Sequence, residues 1–277
     1  MQVTDRMLAT LRERYTILET ALYDETTSTN DQALTLATAL PSDASSEHGI
    51  LALLVAHRQT AGRGRRHREW WSTPGALMFS VLIDMDQRQI PRNVWPQASL
   101  TTGMAVTRAL RQVDPQGNFQ LKWPNDVYLS EKKVCGILIE APPTPHARLV
   151  LGIGINVANS FQHAPPELLE LATAMVDHSH KPPSLDVVLA AVLAEIDNQF
   201  ILLSQTQDDA TAAALLWQRW QEWCLLENRT VTLAHEGREI HGRCDGIDRD
   251  GALLISSPTG TERYFAGSIV NFSDYVE

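Results

Sequence analysis

The sequence predicts an α+β fold, in which a mixed β-sheet flanked by helices occupies residues 1–225 and a small β-barrel occupies residues 226–277. In the first part, apolar runs of strand length and segments of helical composition do not alternate strictly, which argues against a doubly wound parallel sheet. From about residue 228 the pattern changes to five short strand-like runs separated by turn pairs such as Asp250-Gly251. Five short strands in so little chain are typical of a small barrel.

The first half of the chain is predicted to hold three helices and three strands. Residues 31–40 have helical composition and end at Pro41, and residues 49–58 form a nearly continuous apolar run that suits a strand covered on both faces. In 94–113 apolar residues recur every three or four positions, as in an amphipathic helix. In chain order we expect helix 4–14, strand 16–23, helix 31–40, strands 49–58 and 75–84, and helix 94–113.

The second half begins with a short strand broken at Pro124 and a hairpin over 126–140 with a polar turn. Three prolines within 142–145 require a loop before the next strand, 148–158. Helices are expected over 165–176, 184–204 and 210–225, and the second of these carries one apolar stripe: Leu185, Val188, Leu189, Val192, Leu193, Ile196 and Phe200. The predicted barrel strands are 229–234, 238–248, 251–256, 262–266 and 268–272.

Composition excludes several classes of protein. The formal net charge of −10 over 277 residues is unlike that of a general nucleic-acid binder, which needs positive charge to neutralise phosphates. No run reaches the roughly 18 consecutive apolar residues of a membrane span, and the N-terminus lacks the apolar core of a signal peptide. Three widely spaced cysteines argue against disulfides and a zinc site, so we expect a cytoplasmic protein without a metal centre or a membrane anchor.

One segment is locally very basic: "RQTAGRGRRHREWW", from Arg58 to Trp71, has five arginines within eleven residues. Gly62 and Gly64 allow close approach of the backbone to a ligand and positive φ angles. Planar guanidinium groups suit phosphate or carboxylate, and Trp70 and Trp71 are placed to cover an adenine ring. Taken alone, the segment also fits a solvated mobile loop or an RNA-binding patch.

A second segment, "LKWPNDVYLSEKKVCGILIE", places Lys122 on an apolar strand and Asn125-Asp126 just after Pro124. Lys133 opens the apolar run that follows. If Lys133 points inward, its ammonium group must be paired, and a ligand carboxylate is a natural partner. The alternative is that Lys132 and Lys133 are simply turn residues of the hairpin.

Two further segments carry weaker signals. In "LGIGINV" Gly152, Gly154 and Asn156 lie on one face of a strand, where the missing side chains leave a slot. In "TSTND" the residues Ser28, Thr29 and Asn30 precede a helix, and helix capping alone would account for them.

These segments, taken in order as "TSTN", "RQTAGRGRRHREW", "KWPNDVYLSEKKVCGILIE" and "GIGINV", closely resemble the bacterial biotin–protein ligases. The resemblance covers about residues 23–158 and resumes weakly in "GIDRDGALLI" and "YFAGSIV". It implies the biotin/lipoate ligase fold, which is like that of class II aminoacyl-tRNA synthetases, followed by an SH3-like β-barrel. The implied substrates are biotin and ATP, with Mg²⁺ on the triphosphate. The product, biotinyl-5′-AMP, would then donate biotin to a lysine of a biotin carboxyl carrier protein.

The resemblance also implies roles for individual residues. The catalytic group would comprise Lys133, Asp126 and Arg65, with Lys133 stabilising charge and Asp126 orienting the carrier lysine. Biotin contacts would come from Ser28, Thr29, Asn30, Gln59, Gly62, Arg63, Gly64, Arg65, Lys133 and Gly136. Nucleotide contacts would come from Arg63, Arg65, Trp70, Lys122, Asn125 and Asn156. His67 stands where the family usually has glycine, which affects how the loop would close.

Some members of the family also repress transcription through an N-terminal DNA-binding domain. Because the first family strand starts near residue 16, we expect a monofunctional ligase that binds no DNA, and a homodimer is possible. The nearest alternative is a lipoate–protein ligase or a related acyltransferase, for which Cys135 would be the candidate nucleophile. A nucleic-acid-binding module or a protein-interaction scaffold are more distant alternatives.

Overall fold

The protein is described by a computed structural model over residues 2–162, 164–179 and 181–274. Its larger sheet has seven strands in the order β1-β2-β3-β7-β6-β5-β4, and only the β1–β2 pair is parallel. This mixed sheet confirms the predicted α+β class. The strands are β1 Glu19–Thr26, β2 Ile50–Gln59, β3 Ala76–Asp84, β4 Phe119–Lys122, β5 Asp126–Leu129, β6 Lys132–Glu140 and β7 Arg148–Asn156.

Helices cover both faces of this sheet, which explains why β2 and β3 are apolar along nearly their whole length. One face packs against α2, through Ala33 and Ala37, and the other packs against α3 and α5. The helices are α1 Asp5–Arg14, α2 Thr29–Ala39, α3 Ala98–Val113, α4 Pro166–Leu169, α5 Leu185–Gln205 and α6 Ala210–Glu222.

Helix α5 is long and apolar enough to cross a membrane by length and composition alone. However, 56% of its most apolar window is buried inside the protein, and every residue of the predicted apolar stripe is buried. The apolar composition is therefore accounted for by packing against α3 and the sheet.

Several predicted elements have different bounds in the structure, among them the helix expected over 210–225, which ends at Glu222. The helix expected over 165–176 is reduced to α4 and a 3₁₀ turn at Met175–Asp177, because the backbone between them pairs with β6. Lys133 N donates to Leu171 O at 3.0 Å and Thr173 N donates to Lys133 O at 2.9 Å. The helix expected from residue 94 begins at Ala98, after a 3₁₀ turn containing Pro96. Strand β1 begins at Glu19, beyond the positive φ of Thr16.

The C-terminal residues form a five-stranded antiparallel sheet in the order β11-β10-β9-β8-β12, as predicted from the spacing of the short strands. Its core contains Val231, Leu233, Cys244, Ile247 and Leu253. The strands are β8 Arg229–His235, β9 Arg238–Ile247, β10 Leu253–Ser257, β11 Gly260–Tyr264 and β12 Ser268–Asp274. The division at residues 225 and 226 stays a prediction.

Candidate active site

A buried cluster of neutral polar side chains lies at the N-terminus of α2. Ser28, Thr29 and Asn30 are 2–4% exposed. Thr29 donates to Gln59 Oε1 at the end of β2, from its backbone N at 2.7 Å and from its Oγ1 at 3.3 Å. Ser28 occupies the N-cap position, but its side chain makes no capping hydrogen bond. Capping therefore does not account for Ser28.

Asn30 connects this cluster to two residues that the sequence did not single out. Its Nδ2 donates to Glu140 Oε2 at 2.8 Å, and its Oδ1 accepts from Ser80 Oγ at 2.6 Å. Ser80 is fully buried in β3, and Ser80 Oγ also lies 2.8 Å from Thr29 Oγ1. A serine within an otherwise apolar buried strand is the signal that would have identified it, because a buried hydroxyl needs partners.

The predicted glycine slot lies beside this cluster. Gly136 on β6 is the cross-strand partner of Gly154 on β7, so the slot is wider than the sequence indicated. The ring of Trp70 lies over both glycines, since a Cβ at Gly154 would be 2.6 Å from Trp70 Cε2 and one at Gly136 would be 3.0 Å from Trp70 Cζ3. A Cβ at Gly152 would collide with the amide of Asn30. Positions 152 and 154 therefore require glycine in this arrangement, and a side chain at position 136 would crowd Trp70 and Lys133.

Trp70 is the tryptophan that faces this slot. Its Nε1 is buried and has no hydrogen-bond partner among the residues that the structure describes. Trp71 instead packs edge-to-face on Phe161 with ring centroids 4.8 Å apart, away from the glycines. The two neighbouring tryptophans that we expected to act together therefore have separate surroundings.

Lys133 and Asp126 form an ion pair at the other end of the slot. Lys133 Nζ lies 2.6 Å from Asp126 Oδ1, and a Cβ at Gly136 would be 3.1 Å from Lys133 Nζ. The turn of the hairpin consists of Ser130 and Glu131, both with positive φ. The alternative interpretation of Lys133 as a turn residue is therefore wrong, and its ammonium group faces the glycine slot.

Arg65 reaches the same end of the site from the arginine-rich loop. Its Nη1 donates to Asn125 Oδ1 at 2.9 Å and its Nη2 to Gly267 O at 3.4 Å. Burial lowers the pKa of Arg65, the nearby charge of Asp126 opposes this shift, and the charges of Arg66 and Arg68 add to it. No carboxylate lies within salt-bridge distance of Arg65 in the described part of the chain. A partly buried cation without a paired anion is suited to an anionic ligand.

Lys122 adds a second partly buried cation. Its Nζ donates to Tyr128 Oη at 2.9 Å and lies 5.2 Å from the ring centroid of Phe272. Burial lowers the pKa of Lys122 to about 8, although the charge of Asp126 opposes this shift. Lys122 therefore begins to lose its proton near physiological pH, unlike an ordinary surface lysine.

The remaining loop residues are arranged differently from our expectation. The positive φ of the loop is found at Arg66, not at Gly62 or Gly64. Close approach does account for Gly62, because a Cβ there would be 3.3 Å from Gln59 Nε2 and from Trp70 Cβ. Gly64 N donates to Arg68 O at 2.7 Å within the loop. The side chain of His67 lies outside the described residues.

Two predicted site residues use their polar groups within the protein. Asn156 Nδ2 donates to Thr173 O at 3.0 Å, and Asn156 Oδ1 accepts from Asn159. Arg63 extends to the α2 end of the site, where it binds Asp31 and Glu140. Among the described residues, no group of three or more histidine, cysteine or carboxylate side chains is placed to hold a metal ion. Two clefts of about 270 and 200 Å³ lie elsewhere, along α5.

Comparison with known proteins places this chain in a family. Residues 25–156 match the biotin/lipoate A/B protein ligase family, and residues 228–272 match the biotin protein ligase C-terminal domain. The biotin--[acetyl-CoA-carboxylase] ligase of Mycobacterium tuberculosis is 31% identical over 226 residues, which are 79% of this chain and 78% of that protein. The bifunctional ligase/repressor BirA of Bacillus spizizenii is 30% identical over 222 residues.

The match to BirA covers 78% of this chain but only 65% of that relative. Among solved structures, the biotin protein ligase of Aquifex aeolicus in complex with biotin and ATP has a TM-score of 0.74 and 28% identity. That likeness covers 93% of this chain and 99% of the other. With both parts of its fold matched, the chain belongs to the biotin/lipoate A/B protein ligase family and carries a biotin protein ligase C-terminal domain.

Proposed function

We propose that the protein is a biotin–protein ligase. In the first step a carboxylate oxygen of biotin attacks the α-phosphorus of ATP, a C(O)–O–P bond forms, and pyrophosphate leaves as the α–β bridging bond breaks. In the second step a lysine amine of a carrier protein attacks the acyl carbon, an amide forms, and AMP leaves with the acyl C–O electron pair. The similar Mycobacterium tuberculosis enzyme is a biotin--[acetyl-CoA-carboxylase] ligase, and the similar Aquifex aeolicus ligase binds biotin and ATP, which supports these substrates.

The observation that carries this proposal is the distribution of charge along one glycine-lined face. Neutral hydrogen-bonding groups lie at one end, on Thr29, Asn30 and Gln59, and cations lie at the other, on Lys133 and Arg65. Biotin has the same polarity, with a neutral ureido group at one end and a carboxylate at the other. The apolar chain between them suits the apolar surface that the indole ring of Trp70 forms where it packs on the glycine backbone.

Lys133, Arg65 and Asp126 are proposed to act on the reacting groups. The α-phosphate gains negative charge in the transition state, and fixed cations stabilise that charge in a water-poor site. Lys133 and Arg65 provide them at the end of the slot. Asp126 Oδ1, which is bound to Lys133 Nζ here, would accept a proton from the incoming carrier amine in the second step.

The nucleotide is proposed to bind between the arginine-rich loop and the C-terminal sheet. Trp70 would contact the adenine, and Lys122 would provide a polar contact. Asn125 and Asn156 are buried and bound within the protein, so Asn125 would act by positioning Arg65, and Asn156 by holding the backbone at Thr173. Mg²⁺ enters as part of the substrate MgATP, since phosphate oxygens and water are its usual ligands in such sites and the nearby Asp126 is already paired.

Cys135 argues against an acyltransferase that uses a cysteine nucleophile. Its thiol is fully buried in β6, and burial raises its pKa, so the reactive thiolate is disfavoured. A lipoate–protein ligase without such a nucleophile is the remaining alternative. Its substrate has no ureido group, so it would not need the polar cluster of Thr29, Asn30 and Gln59.

A pyrophosphate-exchange assay and a blot test the proposal together. We expect ATP–pyrophosphate exchange with biotin and none with lipoate. Incubation with biotin, ATP and a carboxyl carrier domain should give a carrier band that streptavidin detects. Exchange with lipoate alone would contradict the assignment.

The proposal also names an acceptor protein and a cellular compartment. We propose a biotin carboxyl carrier protein as the acceptor and the cytoplasm as the compartment, the latter supported by three buried cysteines that are all free. The expectation that the chain binds no DNA is tested by a mobility-shift assay with duplex DNA. Light scattering tests whether it forms a homodimer.

A further inference from the structure

Arg63, the first arginine after Gly62, is held by two carboxylates. Its Nη1 donates to Glu140 Oε1 at 3.2 Å, while its Nη2 donates to Glu140 Oε2 at 3.2 Å and to Asp31 Oδ1 at 2.5 Å. The contact with Glu140 is therefore bidentate, the geometry in which a guanidinium group binds a carboxylate most specifically. Asp31 belongs to the first turn of α2 and Glu140 to the end of β6, so Arg63 joins the loop to two separate elements.

This arrangement is poorly suited to binding the carboxylate of biotin. One guanidinium charge faces two carboxylate charges, so the cluster carries a net charge of about −1 and would repel another anion. Glu140 also binds Asn30, which places the cluster at the head-group end of the site, beside the neutral groups of Thr29 and Asn30. Arg65, which binds no carboxylate in the described part of the chain, and Lys133, which is paired with Asp126 alone, lie at the opposite end of the glycine slot.

We propose that Arg63 acts as a clasp, binding Asp31 and Glu140 to hold the arginine-rich loop closed over the head-group end of the site. This inference rests on the proposed biotin ligase function and changes the role that the family resemblance implied for Arg63. In this role Arg63 is a positioning residue that slows ligand escape. It does not bind the ligand's carboxylate.

Glu140 gives the clasp a second effect. Both amide hydrogens of Asn30 are used by Glu140 Oε2 and Leu138 O, so Glu140 fixes the orientation of the amide and directs Asn30 Oδ1 toward Ser80. The same carboxylate therefore orients a head-group residue and anchors the loop above it. Closure of the loop and formation of the head-group site are coupled through this side chain.

The clasp is first tested on the protein alone, by limited trypsin digestion followed by mass spectrometry. Asp31→Asn should make cleavage after Arg66 and Arg68 about three- to tenfold faster, because the loop loses an anchor. Asp5→Asn is the matched control, since Asp5 is likewise an acidic residue in the first turn of a helix but lies far away along the chain in α1. Equal cleavage rates in the two variants would overturn the clasp.

The second test compares biotin with its methyl ester, which lacks the carboxylate charge. If Arg63 is a clasp, Arg63→Gln should speed dissociation of both ligands by the same factor, about three- to tenfold. Asp31→Asn should also speed the dissociation of biotin, and it should have no added effect in the Arg63→Gln background.

The opposite results identify Arg63 as a direct ligand of the carboxylate. In that case Arg63→Gln would weaken binding of biotin alone, and Asp31→Asn would slow dissociation by releasing Arg63 from a competitor. Either result would overturn the clasp. Failure of the unaltered protein to bind biotin would instead contradict the proposed function, while the trypsin comparison would still decide whether Arg63 anchors the loop.

Discussion

Lys133 illustrates how far single residues could be assigned from sequence. The letters "SEKK" left open whether this lysine belongs to a turn, because the register of a hairpin depends on how many residues the turn takes. The turn takes two, Ser130 and Glu131, and this places Lys133 inside β6 with its ammonium group on Asp126. Ser80 and Glu140 were missed, since their partners come from distant segments.

Replacement of Lys133 tests its proposed electrostatic role. Lys133→Met should lower the rate of biotin adenylation by roughly two to three orders of magnitude, because a fixed charge at the reacting phosphate is lost. The measurement is single-turnover formation of biotinyl-AMP, with circular dichroism to check folding. Lys132→Met is the control, because the amine of Lys132 binds Leu169 O away from the site. Equal rates in both variants would place the catalytic charge elsewhere.

Lys122 gives a prediction about pH. Its folded-state pKa of about 8 is below the ordinary value of 10.5, so between these values the unfolded chain holds a proton that the folded protein lacks. The free energy of unfolding should therefore rise with pH between these two pKa values, by at most about 1.4 kcal/mol per pH unit. Well above pH 10.5 Lys122 is deprotonated in both states, so it adds no further dependence on pH. Urea unfolding from pH 7 to 10 should show a smaller rise for Lys122→Met. Parallel curves for the two proteins would contradict the prediction.

At the scale of elements, periodicity predicted most helices and strands, but it failed where backbone pairing competes with it. Residues 170–174 have helical composition, yet they pair with Lys133 on β6, and no local pattern reveals such a bridge. Only part of the glycine slot could be predicted from the sequence. Gly152 and Gly154 lie two apart on β7, but Gly136 joins them only through the β6–β7 register.

Helix α2 depends on a residue more than a hundred positions away. Arg148 is fully buried, and its guanidinium group donates to Ala37 O, Leu40 O and Pro41 O at 2.8, 3.0 and 2.5 Å. It thereby satisfies carbonyl groups at the C-terminal end of the helix that presents Thr29 and Asn30 at its other end. Arg148→Met should lower the free energy of unfolding by about 3 kcal/mol, because buried carbonyls lose charged donors.

Urea denaturation measures this loss. Arg92→Met serves as the control, because Arg92 is exposed and its one hydrogen bond, to Pro145 O, is long at 3.4 Å. An unchanged urea midpoint for Arg148→Met would mean that water replaces the guanidinium group at the helix end.

At the scale of the whole molecule, the two sheets are joined by contacts that reach the site. Trp123 Nε1 donates to Gly251 O at 3.1 Å, and Trp217 Nε1 donates to Ile247 O at 2.7 Å. Arg65 reaches Gly267 O between β11 and β12. Both sheets could be predicted from the sequence, but these contacts could not, because local sequence patterns do not specify how two folded units pack against each other. The C-terminal sheet therefore contributes directly to the surroundings of the proposed nucleotide site.

Phe272 on β12 is the side chain through which this contribution can be measured. Its ring packs edge-to-face on Tyr128 with centroids 6.2 Å apart, and it also lies beneath Lys122 and Arg229. Phe272→Ala should lower the free energy of unfolding by about 2 kcal/mol, since a half-buried ring is lost, and should raise the KM for ATP. The KM for biotin should change little, because the head-group cluster lies on α2, β2 and β3.

Val270→Ala is the matched control for Phe272, on the same strand but 60% exposed. It removes a side chain that faces solvent, so both KM values and the urea midpoint should match those of the unaltered protein. Pyrophosphate exchange at varied ATP and varied biotin separates the two KM values. If Phe272→Ala raised both KM values equally, the C-terminal sheet would support the whole ligase site through general stability, and the specific link from β12 through Lys122 to the nucleotide would be wrong.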